Sequence, residues 1–498
     1  MEHYEVCVIG GGPAGYAAAM RAIDYKKKTV LIERKKVGGT GIYNGALSSK
    51  TLWEISEKIY DINATISTKK PEKFELSWAD VSQTLKEAVF DRKIQYSAHL
   101  KLLQEESHSH LFTFERGDAE MISNSEIKIT HKNGEQKIIK ADNIVIATGS
   151  RPRTIPSIKV DGEVIMTSDH IEAINDYPKS LVILGAGVIG CEYATIFSNF
   201  GKTKVYMIDK ANKILPFEDD DISELAAKNL NDKGVHIHHD ANLVRMEVID
   251  GEVEYEIEFP DGKKEVLRVE KALLSIGRVP NVESIGMENA GIKMSKRGYH
   301  IGDIDTQTNV KNIYAVGDAS GRIALVNMGE LEGRHSIDKI VDPKIDPLSY
   351  SNVSTIMFLH PEVATVGLNE KQCIAQGISV KVVKIDYSLI ARAIASRKTQ
   401  GFFKIIVSDD ENMNILGMRA IGAHASSAIQ AVALLIKTNQ SVTQLAELVH
   451  PHPSYIEGIQ ECVRMLLNKS VFKSAVFGDG LKCYRLTPDG KKTALQRL

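Results

Sequence analysis

Apolar and polar positions recur along this chain with two different periods, and the switches between them mark out its elements. Val6-Cys7-Val8-Ile9 is a short unbroken apolar run and reads as a buried strand. A glycine-rich stretch, Gly10-Gly11-Gly12-Pro13-Ala14-Gly15, follows it, and the small and apolar residues of Ala17–Ile23 suit a closely packed helix. Thr29–Ile32 predicts a second buried strand that ends at Glu33. Helical spacing then returns twice. Leu52, Ile55 and Ile59 make a stripe in Lys50–Ile62, and Val81, Leu85, Val89, Leu100 and Leu103 make another in Trp78–Leu103. Trp53 and Trp78 are expected in a core. Residues 110–146 read as strands with a turn at Lys132-Asn133-Gly134, closing in Ile144-Val145-Ile146-Ala147-Thr148-Gly149-Ser150.

The opening pattern then repeats. Leu181-Val182-Ile183-Leu184 is a strand, Gly185-Ala186-Gly187-Val188-Ile189-Gly190 a second glycine-rich turn, Cys191–Ala194 continues a helix, and Val205–Ile208 is a strand ending on Asp209. Both turns carry GxGxxG, at Gly10, Gly12 and Gly15 and at Gly185, Gly187 and Gly190. The first glycine permits a tight turn, the second lets a pyrophosphate approach, and the helix N-terminus beyond favours the anion. Glu33 and Asp209 stand about twenty residues on, where an acid bonds ribose hydroxyls. Two dinucleotide sites in one chain are therefore expected. An acid at Asp209 favours the free ribose of NAD, while Lys210 and Lys213 are cations that suit the 2′-phosphate of NADP, so NAD is expected with NADP as the alternative. Further strands are predicted over 243–275.

Composition narrows the class. The 498 residues are 43% hydrophobic and 25% charged, with a net charge of −2, which points to cores of ordinary size and to neither nucleic acid nor a membrane surface as partner. No run of about eighteen apolar residues is present. Met1-Glu2-His3-Tyr4-Glu5 leads straight into a strand and reads as no signal peptide, so a cytoplasmic location is expected. The five cysteines are odd in number and widely spaced, without a CxxC pair, so neither a disulfide framework nor a metal site is expected.

Beyond the second repeat come Ile276-Gly277-Arg278-Val279-Pro280-Asn281, then Thr308 and Ile313-Tyr314-Ala315-Val316-Gly317-Asp318-Ala319, and later His360-Pro361-Glu362-Val363-Ala364-Thr365-Val366-Gly367 and His450-Pro451-His452-Pro453-Ser454-Tyr455-Ile456-Glu457. With both fingerprints, these motifs resemble the class I pyridine nucleotide–disulfide oxidoreductases, the group of dihydrolipoamide dehydrogenase, glutathione reductase and mercuric reductase. The resemblance covers residues 4 to about 475. It implies an α/β fold with two Rossmann-like domains and a C-terminal α+β dimerisation domain. The expected boundaries are 1–152 for an FAD-binding domain with a helical insertion at about 50–108, 153–280 for an NAD(P)-binding domain, 281–348 for a central domain completing the FAD site, 349–475 for dimerisation, and 476–498 for a basic tail, solvated or loosely docked. It implies FAD at Gly10, Gly12, Gly15, Glu33, Gly39, Thr40, Thr148, Gly149 and Asp318, whose carboxylate would bond the ribityl chain. It implies NAD(P) at Gly185, Gly187, Gly190, Asp209, Gly277 and Arg278. Lys50 and Glu192 match an ion pair beside the flavin, and His452 and Glu457 an acid–base pair that reaches the partner's site in a homodimer.

One stretch departs from that family. Where the group reads Gly-Gly-Thr-Cys, four residues and a second Cys before Ser-Lys, this chain reads Gly38-Gly39-Thr40-Gly41-Ile42-Tyr43-Asn44-Gly45-Ala46-Leu47-Ser48-Ser49-Lys50. Thiol exchange requires a thiolate, and Gly41 and Ala46 have no sulfur. The second fingerprint, running on through Cys191-Glu192-Tyr193-Ala194, is similar to that of the soluble pyridine nucleotide transhydrogenases, with Val188 in place of a bulky aromatic. The expectation is an FAD-dependent NAD(P)H oxidoreductase with a non-disulfide acceptor, a second nicotinamide, a quinone, another small molecule or dioxygen, admitted at a face opened by Gly41, Gly45 and Ala46, with Tyr43 stacking on it or packed in the protein. The alternative is a dihydrolipoamide dehydrogenase-like, non-catalytic flavoprotein serving as a nucleotide-sensing or scaffold subunit.

Overall fold

A computed structural model describes residues 1–66, 73–295, 305–446, 448–478 and 480–495. The chain forms two compact units. The first comprises Met1–Ile55, Glu72–Tyr177 and Lys271–Leu348, and the second Ser56–Pro71, Pro178–Glu270 and Ser349–Leu498.

In the first unit a 7-stranded sheet runs Phe112–Arg116, Thr29–Glu33, Glu2–Ile9, Gln136–Ile146, Glu126–Thr130, Asp118–Met121, with Ile313–Ala315 also parallel to Gln136–Ile146. Its first four strands are parallel and the last two antiparallel. Side chains alternate across a strand, and here both faces are covered. Val6 and Val8 therefore join Ala18, Ala19 and Ala22 in one core, while Cys7 and Ile9 join Ile127 and Ile139 in another. That double burial is why the strand reads as an unbroken apolar run. The expected turn at 132–134 closes the hairpin into Gln136–Ile146, with Gly134 at φ +85° and Gly134 N–H donating to His131 O.

Helix Pro13–Asp24 begins with proline at its first turn, where no N–H is needed. It packs against helix Val326–Val341 at van der Waals closeness, because a Cβ at Gly333 would lie 2.2 Å from Ala14 O. The two helices expected over 50–108 form with shifted ends, at Ala46–Ile66 and Trp78–Leu102. The second is capped by the Ser77 hydroxyl, which accepts from Asp80 N–H. Trp53 and Trp78 are both buried, and Trp78 Nε1–H donates to Ile174 O.

The second unit holds the parallel strands Ser180–Leu184, Lys204–Ile208 and His236–His238, with helix Val188–Phe200 following the first. An antiparallel meander, Asn242–Ile249, Glu252–Glu258 and Lys264–Val269, follows. A 7-stranded antiparallel sheet completes the unit, in the order Ser354–Met357, Val363–Gly367, Ile415–Ile421, Phe402–Ser408, Val380–Asp386, Leu481–Leu486, Lys492–Ala494. Helix Glu457–Leu466 covers it with Ile459, Cys462, Val463 and Leu466.

The last two strands correct the expectation of a solvated tail. Leu481–Leu486 pairs along its whole length with Val380–Asp386, and Leu481, Cys483 and Leu486 are buried. The stretch sets the buried Leu481, Cys483 and Leu486 among Lys482, Tyr484 and Arg485, without the strict alternation that marks a strand in sequence. Asp479 and Arg497 lie outside the described residues.

Candidate functional site

The two fingerprints are built alike. Gly10 and Gly185, the first glycine of each, take φ +110° and +103°, which only glycine adopts freely. The next residue donates its backbone N–H to the acid at the end of the second strand. Gly11 N–H donates to Glu33 Oε2 at 2.7 Å, and Ala186 N–H to Asp209 Oδ2 at 2.6 Å. The other oxygens accept from Lys35 N–H and Ala211 N–H. Each acid thus fixes its turn and keeps lone pairs for ribose hydroxyls. A Cβ at Gly12 or Gly187 would meet nothing within 4 Å, so open space borders each helix N-terminus. Gly15 instead packs on Gly10 O.

Loop 38–50 closes onto the first fingerprint. Gly38 N–H donates to Gly11 O at 2.7 Å, and a Cβ at Gly39 would lie 3.3 Å from Gly12 Cα. Gly41 and Gly45 do not open the expected face. A Cβ at Gly41 would stand 2.5 Å from Pro13 Cγ, and one at Gly45 would stand 2.1 Å from Thr40 O. Both glycines serve close packing of the loop. Tyr43 lies under the Lys36 ammonium at 4.5 Å, and Asn44 N–H donates to Glu172 Oε1. Lys50, at the start of helix Ala46–Ile66, donates to Ser49 Oγ at 3.3 Å.

On the opposite side of Gly10, Thr148 Oγ1 is buried with no hydrogen-bond partner. Asn281 Nδ2–H donates to Thr148 O, and Asn281 N–H to Gly149 O. Ser150 then links two sequence-selected residues. It donates to Asp318 Oδ2 and accepts from Arg278 Nε–H at 2.8 Å. Arg278 also donates to Ser150 O, and its Nε lies 3.9 Å from Asp318 Oδ2. Arg278 was expected with the NAD(P) residues. The strand pairing of Arg278–Pro280 with Ser150–Pro152 also sets it beside Asp318 within the first unit. The turn ahead of Asp318 is held by Gly317 N–H donating to the buried carboxylate of Glu332.

An orphaned hydroxyl at Thr148, a carboxylate at Asp318 and an open glycine edge at Gly12 fit the mixed hydroxyl and phosphate chemistry of a dinucleotide. Asp169 and Glu172 lie in the short helix Ser168–Ala173, where Glu172 meets loop 38–50 through Asn44 N–H, and no sequence motif marks them. Burial raises the Asp169 carboxyl above its usual range, against the opposing charge of Arg278.

In the second unit Glu192 is buried and accepts from Phe358 N–H at 3.0 Å. His452 and Glu457 are brought together as expected. His452 Nδ1 lies 2.8 Å from Glu457 Oε1, and Ser454 N–H donates to Oε2. Burial works against the Glu457 charge, yet these hydrogen bonds hold its carboxyl below the usual range. The His452 ring is exposed in the single chain. Lys213 is engaged by Asp220 and Glu224. All five cysteines are buried as free thiols. Burial pushes the Cys373 thiol up to about 11 and raises those of Cys7, Cys191 and Cys462 well above the ordinary thiol range. Among the described residues no group of three or more His, Cys, Asp or Glu side chains is placed to hold a metal ion, and no helix is long and apolar enough to cross a membrane.

Paired dinucleotide-binding folds, each with its terminal acid, followed by an α+β sheet domain, define a two-nucleotide flavoprotein class. The sequence matches the model for pyridine nucleotide-disulphide oxidoreductases over residues 4–333 and that for their dimerisation domain over residues 353–463, and the chain belongs to this family of FAD-dependent oxidoreductases. It is 32% identical over 484 residues to a dihydrolipoyl dehydrogenase of Bacillus subtilis (strain 168), covering 94% of this chain and 99% of the relative. It is 33% identical over 459 residues to that of Chlamydia trachomatis, covering 92% and 95%. Among solved structures, LpdA from Mycobacterium tuberculosis superposes with a TM-score of 0.84 at 25% identity, covering 94% of this chain and 100% of that one. A Cu(II) complex of the HOCl-induced flavoprotein disulfide reductase RclA from Escherichia coli gives 0.82 at 26% identity, with the same coverage.

Proposed function

We propose that the protein is a homodimeric, FAD-dependent NAD(P)H oxidoreductase that returns electrons to a non-disulfide acceptor, a second nicotinamide or a quinone. One observation carries this reading. Loop 38–50 is seated on the first fingerprint through Gly38 and Gly39, yet it holds no sulfur, and a Cβ at 41 has no room beside Pro13. The remaining thiols are buried, with the pKa of four of them raised, which disfavours the thiolate that exchange requires.

The residue roles follow from the geometry within each unit and from the family. FAD, bound along Gly10–Gly15, Glu33, Gly39, Thr40, Thr148, Gly149 and Asp318, supplies the hydride chemistry. Glu33 accepts ribose hydroxyls while holding the turn through Gly11. Asp318, oriented by Ser150 and Arg278, accepts from the ribityl hydroxyls. Lys50 provides a fixed positive charge for developing negative charge. Glu192, held by Phe358 N–H, serves the family's paired carboxylate role. His452, with Nδ1 directed at Glu457, holds or moves a proton at Nε2. In the second unit Asp209 favours NAD, and of the two cations that would favour NADP, Lys213 is engaged by two carboxylates while Lys210 is exposed beside Asp209.

Anaerobic titration with NADH tests the reading. Bleaching of the oxidised flavin spectrum, with no thiolate charge-transfer band, is the expected result. A flavin left oxidised by both NADH and NADPH sinks it and favours the non-catalytic flavoprotein. An acceptor screen then separates transhydrogenation from quinone reduction.

A further inference from the structure

The C-terminal hairpin, Leu481–Leu486 with Lys492–Ala494, lies beyond both matched family segments, which end at residues 333 and 463. Its polar side chains converge on one acid. Tyr484 O–H donates to Glu370 Oε1 at 2.7 Å, and Lys492 Nζ lies 2.6 Å from Glu370 Oε2. Glu370 Oε1 in turn lies 3.1 Å from Lys404 Nζ.

Lys404 is the centre of a buried ion cluster. Its side chain is 0% exposed, and it reaches Asp219 and Asp221 at 2.7 Å each. A buried ammonium is costly unless its carboxylates are all in place. Burial works against the Lys404 charge, and Asp221, Asp219 and Glu370 outweigh it, so the ammonium is retained. Lys404 thus sets the spacing between Glu370 and the Asp219–Asp221 turn that opens helix Asp220–Asp232.

That turn belongs to a loop resting on the second fingerprint. Glu218 pairs with Arg419 at 2.9 Å, and Asn369 Nδ2–H donates to Phe217 O. Leu215 N–H donates to Ala186 O at 3.0 Å, while Ala186 N–H donates to Asp209. Both polar groups of the Ala186 peptide neighbourhood are therefore committed, one to the acid and one to the loop.

We propose that the C-terminal hairpin positions the nicotinamide-nucleotide site, acting through Glu370, Lys404 and the Asp219–Asp221 turn on the loop that buttresses Ala186. Tyr484 and Lys492 are positioning residues and touch no nucleotide. Without Lys492, Glu370 is left to draw Lys404 away from Asp219 and Asp221, and the loop that fixes Ala186 loosens. The inference rests on the reading that the second fingerprint holds NADH.

The test uses the full FAD-loaded chain and NADH as probe. Lys492 is more than half exposed, so Lys492→Ala leaves the core untouched. The dissociation constant for NADH is measured alongside flavin content and thermal midpoint for Lys492→Ala, Tyr484→Phe and Lys492→Arg. The expected result is about three- to tenfold weaker NADH binding in the first two, the usual range for coupling through such a network. Flavin content is expected to stay at the wild-type level, and Lys492→Arg to restore affinity. In a cycle with Asp221→Asn the effects are expected to be non-additive. Wild-type NADH affinity in Lys492→Ala and Tyr484→Phe, or an additive cycle, overturns the proposal whatever happens to the thermal midpoint. A wild-type protein that binds no NADH fails the nucleotide reading itself, and the inference falls with it.

Discussion

Gly41 packs against the ring of Pro13 so closely that a Cβ at position 41 would lie 2.5 Å from Pro13 Cγ. Pro13 opens the helix of the first fingerprint. Gly41 is therefore part of the seat on which loop 38–50 rests against the first fingerprint.

Gly41→Ala is accordingly expected to be an overpacking change, costing about 1–3 kcal/mol. Thermal unfolding and bound-flavin absorbance report it. Gly41→Cys with Ala46→Cys is expected to destabilise in the same way and to confer no NADH-dependent disulfide reduction. Vigorous reduction of a disulfide substrate by that double variant counts against the account given for the loop.

Asp318 sits at the end of a chain of hydrogen bonds from Arg278 through Ser150. Asp318→Ala removes a charged acceptor, and such bonds contribute about 1.5–3 kcal/mol. Flavin affinity is expected to fall by roughly tenfold or more. Ser150→Ala should fall less, since Asp318 keeps its charge. Dialysis followed by flavin quantification distinguishes the three proteins, and undiminished affinity in Asp318→Ala removes it from the site.

Asp209 holds the second turn through Ala186 and Ala211. Asp209→Ala is expected to weaken NADH binding by about tenfold, and no NADPH preference is expected in the Asp209→Ala, Lys210→Ala double variant, where Lys213 remains tied to Asp220 and Glu224. Isothermal titration with both nucleotides checks this. A double variant that prefers NADPH shows that Lys213 is more available than its ion pairs imply.

Among the described residues four histidines carry a pH signature. Burial holds His238, His335, His360 and His450 below the ordinary imidazole range. A folded pKa below the unfolded value means that the unfolded chain binds more protons in the window between them. Their contribution is present above the unfolded pKa of about 6.5 and is lost as pH falls through the folded values. Thermal midpoints are expected to drop between pH 7 and 5. His335→Gln, at a buried site beside Asp305, should flatten that slope. A slope unchanged in this variant places the acid sensitivity elsewhere.

Local pattern was enough for much of this protein. The apolar runs at 6–9 and 181–184, the glycines after them and the acids at 33 and 209 specify two dinucleotide folds, because each feature is short-range and set by backbone sterics or strand burial. The same holds for the helix over Trp78–Leu102, whereas the pairing of His452 with Glu457 is what the family resemblance implies. Other features are decided by contacts far apart in sequence. Arg278 meets Ser150 across 128 residues and so joins Asp318. Gly41 faces Pro13, which turns an apparent vacancy into a packed seat. The basic C-terminus folds as a hairpin because Val380–Asp386 offers it an edge and Glu370 offers it a charge. No window of sequence contains both sides of such contacts, so the tertiary structure alone determines them.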